Sequence, residues 1–506
     1  MMLRSRIANR IARAFALVVP VALLMLVLDS AALSQRIVNI APGFGTINTA
    51  IRGDTLSGGV RVDTNTVYRL QRGGLYILNG TMEHNYPVQI AAAPATGAKP
   101  KIIQGVQSGG TAPSEAWSPR ARLTMKNIYI SAQDELGGNH ERILRLRENN
   151  IRIVIDSCHL DLASQAGFRC DGVNVKIYFT NSMISNIGTG ASPDNGRGVD
   201  DRGVDIDTLV LENSTFYNLT SRVIRDGGGF IKYCRVNHCT MVNIGQYGIT
   251  IGPSYHAIFT NNVMANGGYY GNWPAVTREL LEIEPGPAPG TSTFLVQSNN
   301  FYLDSLIVKA YPDSVKPIPL GDSTTQAIIQ NGGWASTVYQ EMITFQNAPD
   351  APVAVVQDFY TNGTVAPNPD LDTTGGPFNF KYANTFLAYA RGNDGKPLGD
   401  LNWHNIPLTS VEPQGEGTPA SFVLAQNYPN PFNPATQIQF GVAKAGQVQL
   451  TVYDLLGKEV RTLVNEVLAP GTYTARFDGA GLASGAYFYV MSSQGVRLTR
   501  SMLLMK

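Results

Sequence analysis

The chain has 506 residues, with only 15% charged and with 51 glycines and 29 prolines. That length exceeds one compact globule unless the fold grows along an axis, and the glycine and proline content suits a turn-rich β protein better than a helical one. A formal charge of +1 with no basic stripe argues against nucleic acid as a partner.

The first 34 residues read as a signal peptide. Arg4, Arg6, Arg10 and Arg13 form a positive start, an apolar run extends from Ala14 to Leu28, and Ala32 and Ser34 stand at −3 and −1 of a cut before Gln35. The run is shorter than the roughly 20 residues that span a bilayer. Cleavage removes four arginines and one aspartate and leaves a formal charge of −2 on the remainder. No later stretch is apolar enough to span a membrane.

From residue 150 to residue 305 one pattern recurs. "IVIDSCHLDL", "IYFTNSMISNI", "LVLENSTFYNL", "CRVNHCTMVNI", "AIFTNNVMANG" and "FLVQSNNFYLD" share a small polar anchor at Ser157, Asn181, Asn213, His238, Asn261 and Ser298, spaced by 24, 32, 25, 23 and 37 residues. The positions two and four before each anchor are apolar in all six copies, from Ile153 and Ile155 to Phe294 and Val296. Apolar residues with period 2 indicate strands, and a repeat near 24 residues that shows the same face indicates stacked coils. Five after the anchor stand Asn186, Asn218, Asn243 and Asn266. The register predicts that these four stack as a ladder at an interior turn. The same register places Cys158 and Cys239 three coils apart, about 14 Å, beyond the roughly 7 Å that a disulfide tolerates. At least three of the four cysteines therefore read as small core or turn residues.

This pattern resembles the right-handed parallel β-helix proteins of the pectate-lyase-like superfamily over roughly residues 37–305. "GTINTAI" (residues 45–51) is similar to their entry segment, and "GNDGKPLGDLNWH" (residues 392–404) to the segment that closes secreted bacterial members. The resemblance implies action on polysaccharides as a lyase or hydrolase. Hydrolysis needs paired carboxylates. Asp200-Asp201 is similar to the DD pair of polygalacturonases, but that family's NTD, GHG and RIK signatures are absent. The expected reaction is instead β-elimination on an acidic polysaccharide.

The unit that holds Asp194, Asp200, Asp201, Asp205 and Asp207 is about eight residues longer than its neighbours, and extra residues in a solenoid project as a loop on one face. The next coils carry Arg222, Arg225 and Lys232, then Tyr247, Tyr255 and His256. Six before the anchor, Asp207, Lys232 and Tyr255 should stack on one outer face. Elimination needs a cation against the uronate carboxylate and a base for the C5 proton. Arg225, Lys232 and Tyr255 are the expected catalytic residues, and Arg222, Tyr247 and His256 the expected substrate-binding ones. Asp200, Asp201, Asp205 and Asp207 offer hard oxygen ligands for calcium, the one cofactor considered. Against all of these stands a second reading, in which the side chains form ordinary solvated ion pairs and the protein binds carbohydrate or adheres without catalysis.

Residues 305–391 show no clear period, with "YQEMITFQNAP" and "APVAVVQDFY" readable as strands or short helices, and read as the last coils with an irregular cap, so the β-helix with its cap is expected over 35–406. Residues 407–421, rich in Pro, Gly, Ser and Thr, read as a linker. Short alternating strands follow at Ile438–Val442, Val448–Tyr453, Val460–Val464, Tyr473–Phe477 and Tyr487–Val490, a small antiparallel immunoglobulin-like β-sandwich. Within it "YPNPFNP", "LTVYDLLGKEV", "LAPGTYTARFDGAGLASGAYFYVM" and the final "SMLLMK" resemble, in order, the C-terminal sorting domain of the type IX secretion system, over residues 422–506. That resemblance implies passage through the periplasm to the outer-membrane surface or the medium, with the secretion machinery as partner. The fold expected for the whole chain is all-β.

Overall fold

Inward side chains in the repeat are apolar because each strand buries one face on the coils above and below it. In the computed structural model this produces two long parallel sheets, of 17 and 11 strands. Residues 35–56, 60–107, 109–189, 192, 194–272, 278–287, 292–362, 377–406, 412–414, 419–468 and 470–505 are described; the expected signal peptide lies outside them. The larger sheet bends to supply two faces of a parallel β-helix. The first face stacks Arg152–Asp156, Val175–Thr180, Ile206–Glu212 and Ile231–Asn237 in parallel. The third stacks Arg142–Leu146, Ala166–Cys170, Arg197–Asp200 and Arg222–Arg225. The smaller sheet is the second face, with His159–Ala163, Met183–Ile187, Thr215–Leu219, Thr240–Ile244 and Val263–Gly267. The strand Ile249–Thr260 runs through the corner and pairs on both the third and the first face. One continuous core runs from Ile40 to Ile329.

The turns between faces explain the polar residues kept in register. All six anchors have left-handed backbones, from Asn213 at φ 49° to Asn261 at φ 59°. Asparagine tolerates that region better than other residues with a Cβ. At the next turn Asn186, Asn218, Asn243 and Asn266 have φ between 53° and 57°. Their amides donate down the stack: Asn266 to Asn243 at 3.0 Å, Asn243 to Asn218 at 3.3 Å, Asn218 to Asn186 at 3.1 Å, and Asn186 to Asp161 at 2.9 Å. The expected ladder is present, and Asp161 ends it. The four cysteines are free and buried, and burial pushes the thiols of Cys158 and Cys234 up to about 12.

The ends of the solenoid are covered. At the entry, Thr46–Gly53 is a helix that buries Ile47 and Ile51. The cap expected to be irregular is partly helical, with helices at Ser305–Lys309, Ser323–Asn331 and Val353–Asn362. The closing segment runs along the anchor turns. Asp400 accepts from the Thr215 hydroxyl at 2.7 Å, and Leu401 N donates to the Asn213 side chain at 2.8 Å.

The C-terminal sandwich has a separate core, from Leu424 to Leu504, between two four-stranded sheets. The strands lengthen to Ala435–Val442, Gly446–Tyr453, Glu459–Leu468, Gly471–Asp478 and Gly485–Ser493, and a sixth, unexpected one forms at Val496–Leu504. The expected linker needs a correction. Glu412–Gln414 is an edge strand antiparallel to Gly471–Asp478, because that edge offers unpaired backbone groups that an extended segment satisfies. The proline-rich run is a pinned loop in which the Asn427 amide bonds Thr436 Oγ1 at 2.9 Å and the Pro429 carbonyl at 3.0 Å.

Candidate functional site

The expected site residues fall on two different faces. On the first face Ile206 pairs with Ile231 and Thr208 with Tyr233, which sets Asp207 opposite Lys232. The next pairing, Ile231 with Ser254 and Tyr233 with His256, sets Tyr255 beside Lys232. The stack is therefore real, but its members have partners of their own. Lys232 donates to Asn174 Oδ1 at 2.7 Å, Asp207 pairs with Lys176 at 3.4 Å, and Tyr255 packs edge-on against Phe230 at 4.5 Å between ring centres. His256 shares a 2.6 Å hydrogen bond with Thr293 Oγ1.

Arg222, Arg225, Asp200 and Tyr247 belong to the third face. There the outward column runs Arg145, Arg169, Asp200, Arg225 along the helix axis. Asp200 is buried and receives two guanidiniums, Arg197 and Arg225, each at 2.9 Å. Asp171 likewise receives Arg145 at 2.6 Å and Arg169 at 3.0 Å. Arginines thus outnumber the carboxylates that hold them. Arg222, paired in register with Arg197, is left over: among the described residues no ion pair holds it. Its contacts are Ser221 Oγ and Thr250 Oγ1, both at 3.3 Å, and the face of Tyr247, 3.6 Å from the ring centre. Burial, assisted by the charges of Arg197 and Arg225, brings the Arg222 pKa down to about 10.

Sequence reasoning missed two neighbours. Arg278 stands 5.6 Å from the Tyr247 ring centre. Glu282 follows Thr250 in the outward register of the third face. Burial and the charges of Glu279, Glu284 and Asp226 push its carboxyl up to about 7. Local sequence carries no signal for Glu282, which reaches the site only through the coil register.

The four aspartates named for calcium are not gathered into one cluster. Among the described residues no three His, Cys, Asp or Glu side chains come together to hold a metal. Asp200 serves two arginines, Asp207 serves Lys176, and Asp205 is exposed. Asp201 is fully buried, with one oxygen accepting Gly203 N at 3.0 Å and Gly227 N at 2.6 Å. It tightens a turn instead of facing solvent.

Burial, with the charge of Asp226, pushes Asp201 up to about 7 from 3.8. Its proton is held more tightly in the folded state, so the stability it contributes is complete below about pH 4 and is lost as pH rises through 7. Asp201→Asn keeps the oxygen that accepts both glycine amides. It is expected to stabilise the protein by on the order of 2 kcal/mol at pH 8 and hardly at all at pH 4, read from denaturant unfolding at the two pH values.

Residues 426–505 match the family of secretion system C-terminal sorting domains. A search of curated proteins finds no match to the chain. Among solved structures, the chain is similar to the full-length tailspike protein 2 of Escherichia coli O157:H7 bacteriophage CAB120, at 11% identity, with 92% of this chain and 68% of that one covered and a TM-score of 0.25. Among the described residues no helix is long and apolar enough to cross a membrane. The sorting domain directs the protein through the type IX machinery to the cell surface or the extracellular space. The chain is a parallel β-helix protein with a secretion system sorting domain at its C-terminus.

Proposed function

We propose that the exported β-helix binds an acidic polysaccharide along its arginine-lined third face and cleaves it by β-elimination. One observation carries this reading: Arg222 is a buried guanidinium on the face of Tyr247, held in no ion pair among the described residues although the charge of Asp194 reaches it, with its pKa brought down to about 10. That shift leaves a far larger neutral fraction near neutrality than an ordinary arginine has. In its neutral form Arg222 takes the C5 proton of a uronate. The C4–C5 double bond forms, the C4–O bond breaks, and Glu282, protonated up to about pH 7, gives its proton to the departing oxygen. The Arg197–Asp200–Arg225 cluster keeps one net positive charge for the uronate carboxylate, where negative charge grows in the transition state.

The base role thus moves from Arg225, which is bound to Asp200, to Arg222. The rate depends on neutral Arg222 and protonated Glu282 together. It is expected to rise about tenfold per unit up to pH 7, stay level to about 10, and fall beyond. The test is absorbance of unsaturated uronate after mixing with alginate, pectate or chondroitin. Arg222→Met is expected to lose about 100-fold or more in kcat, while Arg225→Lys mainly raises KM. Binding to one of these polymers with no unsaturated product would end the lyase reading. It would favour carbohydrate binding without cleavage, which the existing partners of Lys232, Asp207 and Arg225 also suit.

A further inference from the structure

The outward column of the first face is unusually apolar. Val154, Tyr178, Val210, Arg235, Ile258 and Leu295 follow one another in register. Strand alternation points these side chains away from the core, since Ile153, Ile155, Leu209 and Leu211 point into it. Outward residues of a solenoid should be wet, yet Tyr178 is 7% exposed, Val210 9%, Ile258 5%, and the adjacent Tyr233 4%. Among the described residues, Val467 of the C-terminal sandwich packs against this cluster from outside the β-helix.

Val467 lies near the end of Glu459–Leu468, an edge strand of its sheet. Edge strands leave backbone groups without a ladder partner. Here the Val467 carbonyl accepts from Tyr233 Oη at 2.8 Å and from Arg235 Nη1 at 3.3 Å. Beside the contact the two domains do not close. They enclose a cleft of about 780 Å³, with Glu212, Arg235 and Asn237 on the β-helix side and Arg461, Thr462 and Asn465 on the sandwich side. A narrow apolar seat, two hydrogen bonds and a cleft beside them describe a cover that can lift.

We propose that the first face is a docking surface for the chain's own sorting domain, which acts as a lid over the tyrosine and aliphatic column. The edge strand supplies the carbonyl that the outer face can recognise, and Val467 supplies the apolar contact. The surface next to His256, which stands beside Tyr233 in register, is then open to a ligand only when the tail lifts or is removed. The Arg222 site on the third face is outside this contact, so the lid stands independently of the lyase reading.

Tyrosine nitration of the full-length protein by tetranitromethane, mapped by mass spectrometry, tests the lid. Tyr178 and Tyr233 are expected to be protected in the unaltered chain and at least tenfold more modified in Val467→Asp. Tyr76, in the core of the helix, should stay unreactive in both and so report that the solenoid is intact. Tyr233→Phe keeps the ring and removes the hydroxyl that bonds the Val467 carbonyl; it should raise nitration of Tyr178 by a smaller factor, which covers the case in which Val467→Asp fails to fold. Ready nitration of Tyr233 in the unaltered chain would overturn the proposal. So would equal protection of Tyr178 in all three proteins together with equal protection of Tyr233 in the two that keep it.

Discussion

Truncation after Pro407 is expected to leave a folded β-helix stranded in the periplasm, with surface delivery lost almost completely. Among the described residues the helix core and the sandwich core share no buried residue, and Val467 packs on the outer cluster of the helix. Removing one valine contact and two outer hydrogen bonds costs about 1–3 kcal/mol, a shift of a few degrees in Tm for a protein of this size. The signal for the outer-membrane step lies in the matched residues 426–505. Fractionation and surface labelling in a host with the type IX machinery read location, and calorimetry of the periplasmic product reads stability. Conversely, residues 422–506 fused to an inert exported reporter should carry it to the surface. A fusion that begins at residue 408 should do so with a more stable tail, because it retains the edge strand Glu412–Gln414. Delivery of the truncated protein at the level of the full chain would refute the sorting role.

What was legible in the sequence and what was not follows from how local each constraint is. The coils could be read because inward alternation recurs in every copy, and the ladder because a left-handed turn residue inside a solenoid must satisfy its polar groups on its copies above and below. The helical cap was not legible, since Ser305–Lys309 and Ser323–Asn331 are too short for helical periodicity to stand out. The sixth sandwich strand escaped because Val496–Leu504 is an edge with Arg497, Thr499, Arg500 and Ser501 in its middle, and so lacks clean alternation. The candidate site was read only in part. Its arginines and Tyr247 were named, but which arginine is spare depends on where Asp200 points. Glu282, 60 residues beyond Arg222 in the chain, arrives through register alone. The calcium reading counted carboxylates without the arginines and lysine that already hold two of them.

Asn218→Ala is expected to be among the most damaging single changes in the solenoid. Asn218 is 2% exposed, holds φ at 55°, donates to Asn186 and accepts from Asn243. Alanine leaves the Asn186 oxygen without that donor, at a cost of about 1–3 kcal/mol. It also places a Cβ in the left-handed region without a side chain that bonds locally, about 1–2 kcal/mol more. Asn243 loses less, because its amide keeps a 2.8 Å bond to the Asp350 carbonyl. The total is on the order of 2–5 kcal/mol, measured as a lower denaturant midpoint with an unchanged slope. Asn218→Gly separates the two causes. Glycine adopts the same φ without strain, so it should recover about 1–2 kcal/mol relative to alanine and keep only the loss of the ladder bonds. Three proteins should therefore rank asparagine, glycine, alanine. Equal midpoints for glycine and alanine would remove backbone strain from the account, and a loss below about 0.5 kcal/mol for both, as at an ordinary surface position, would show that the ladder satisfies its own members without holding the coils together.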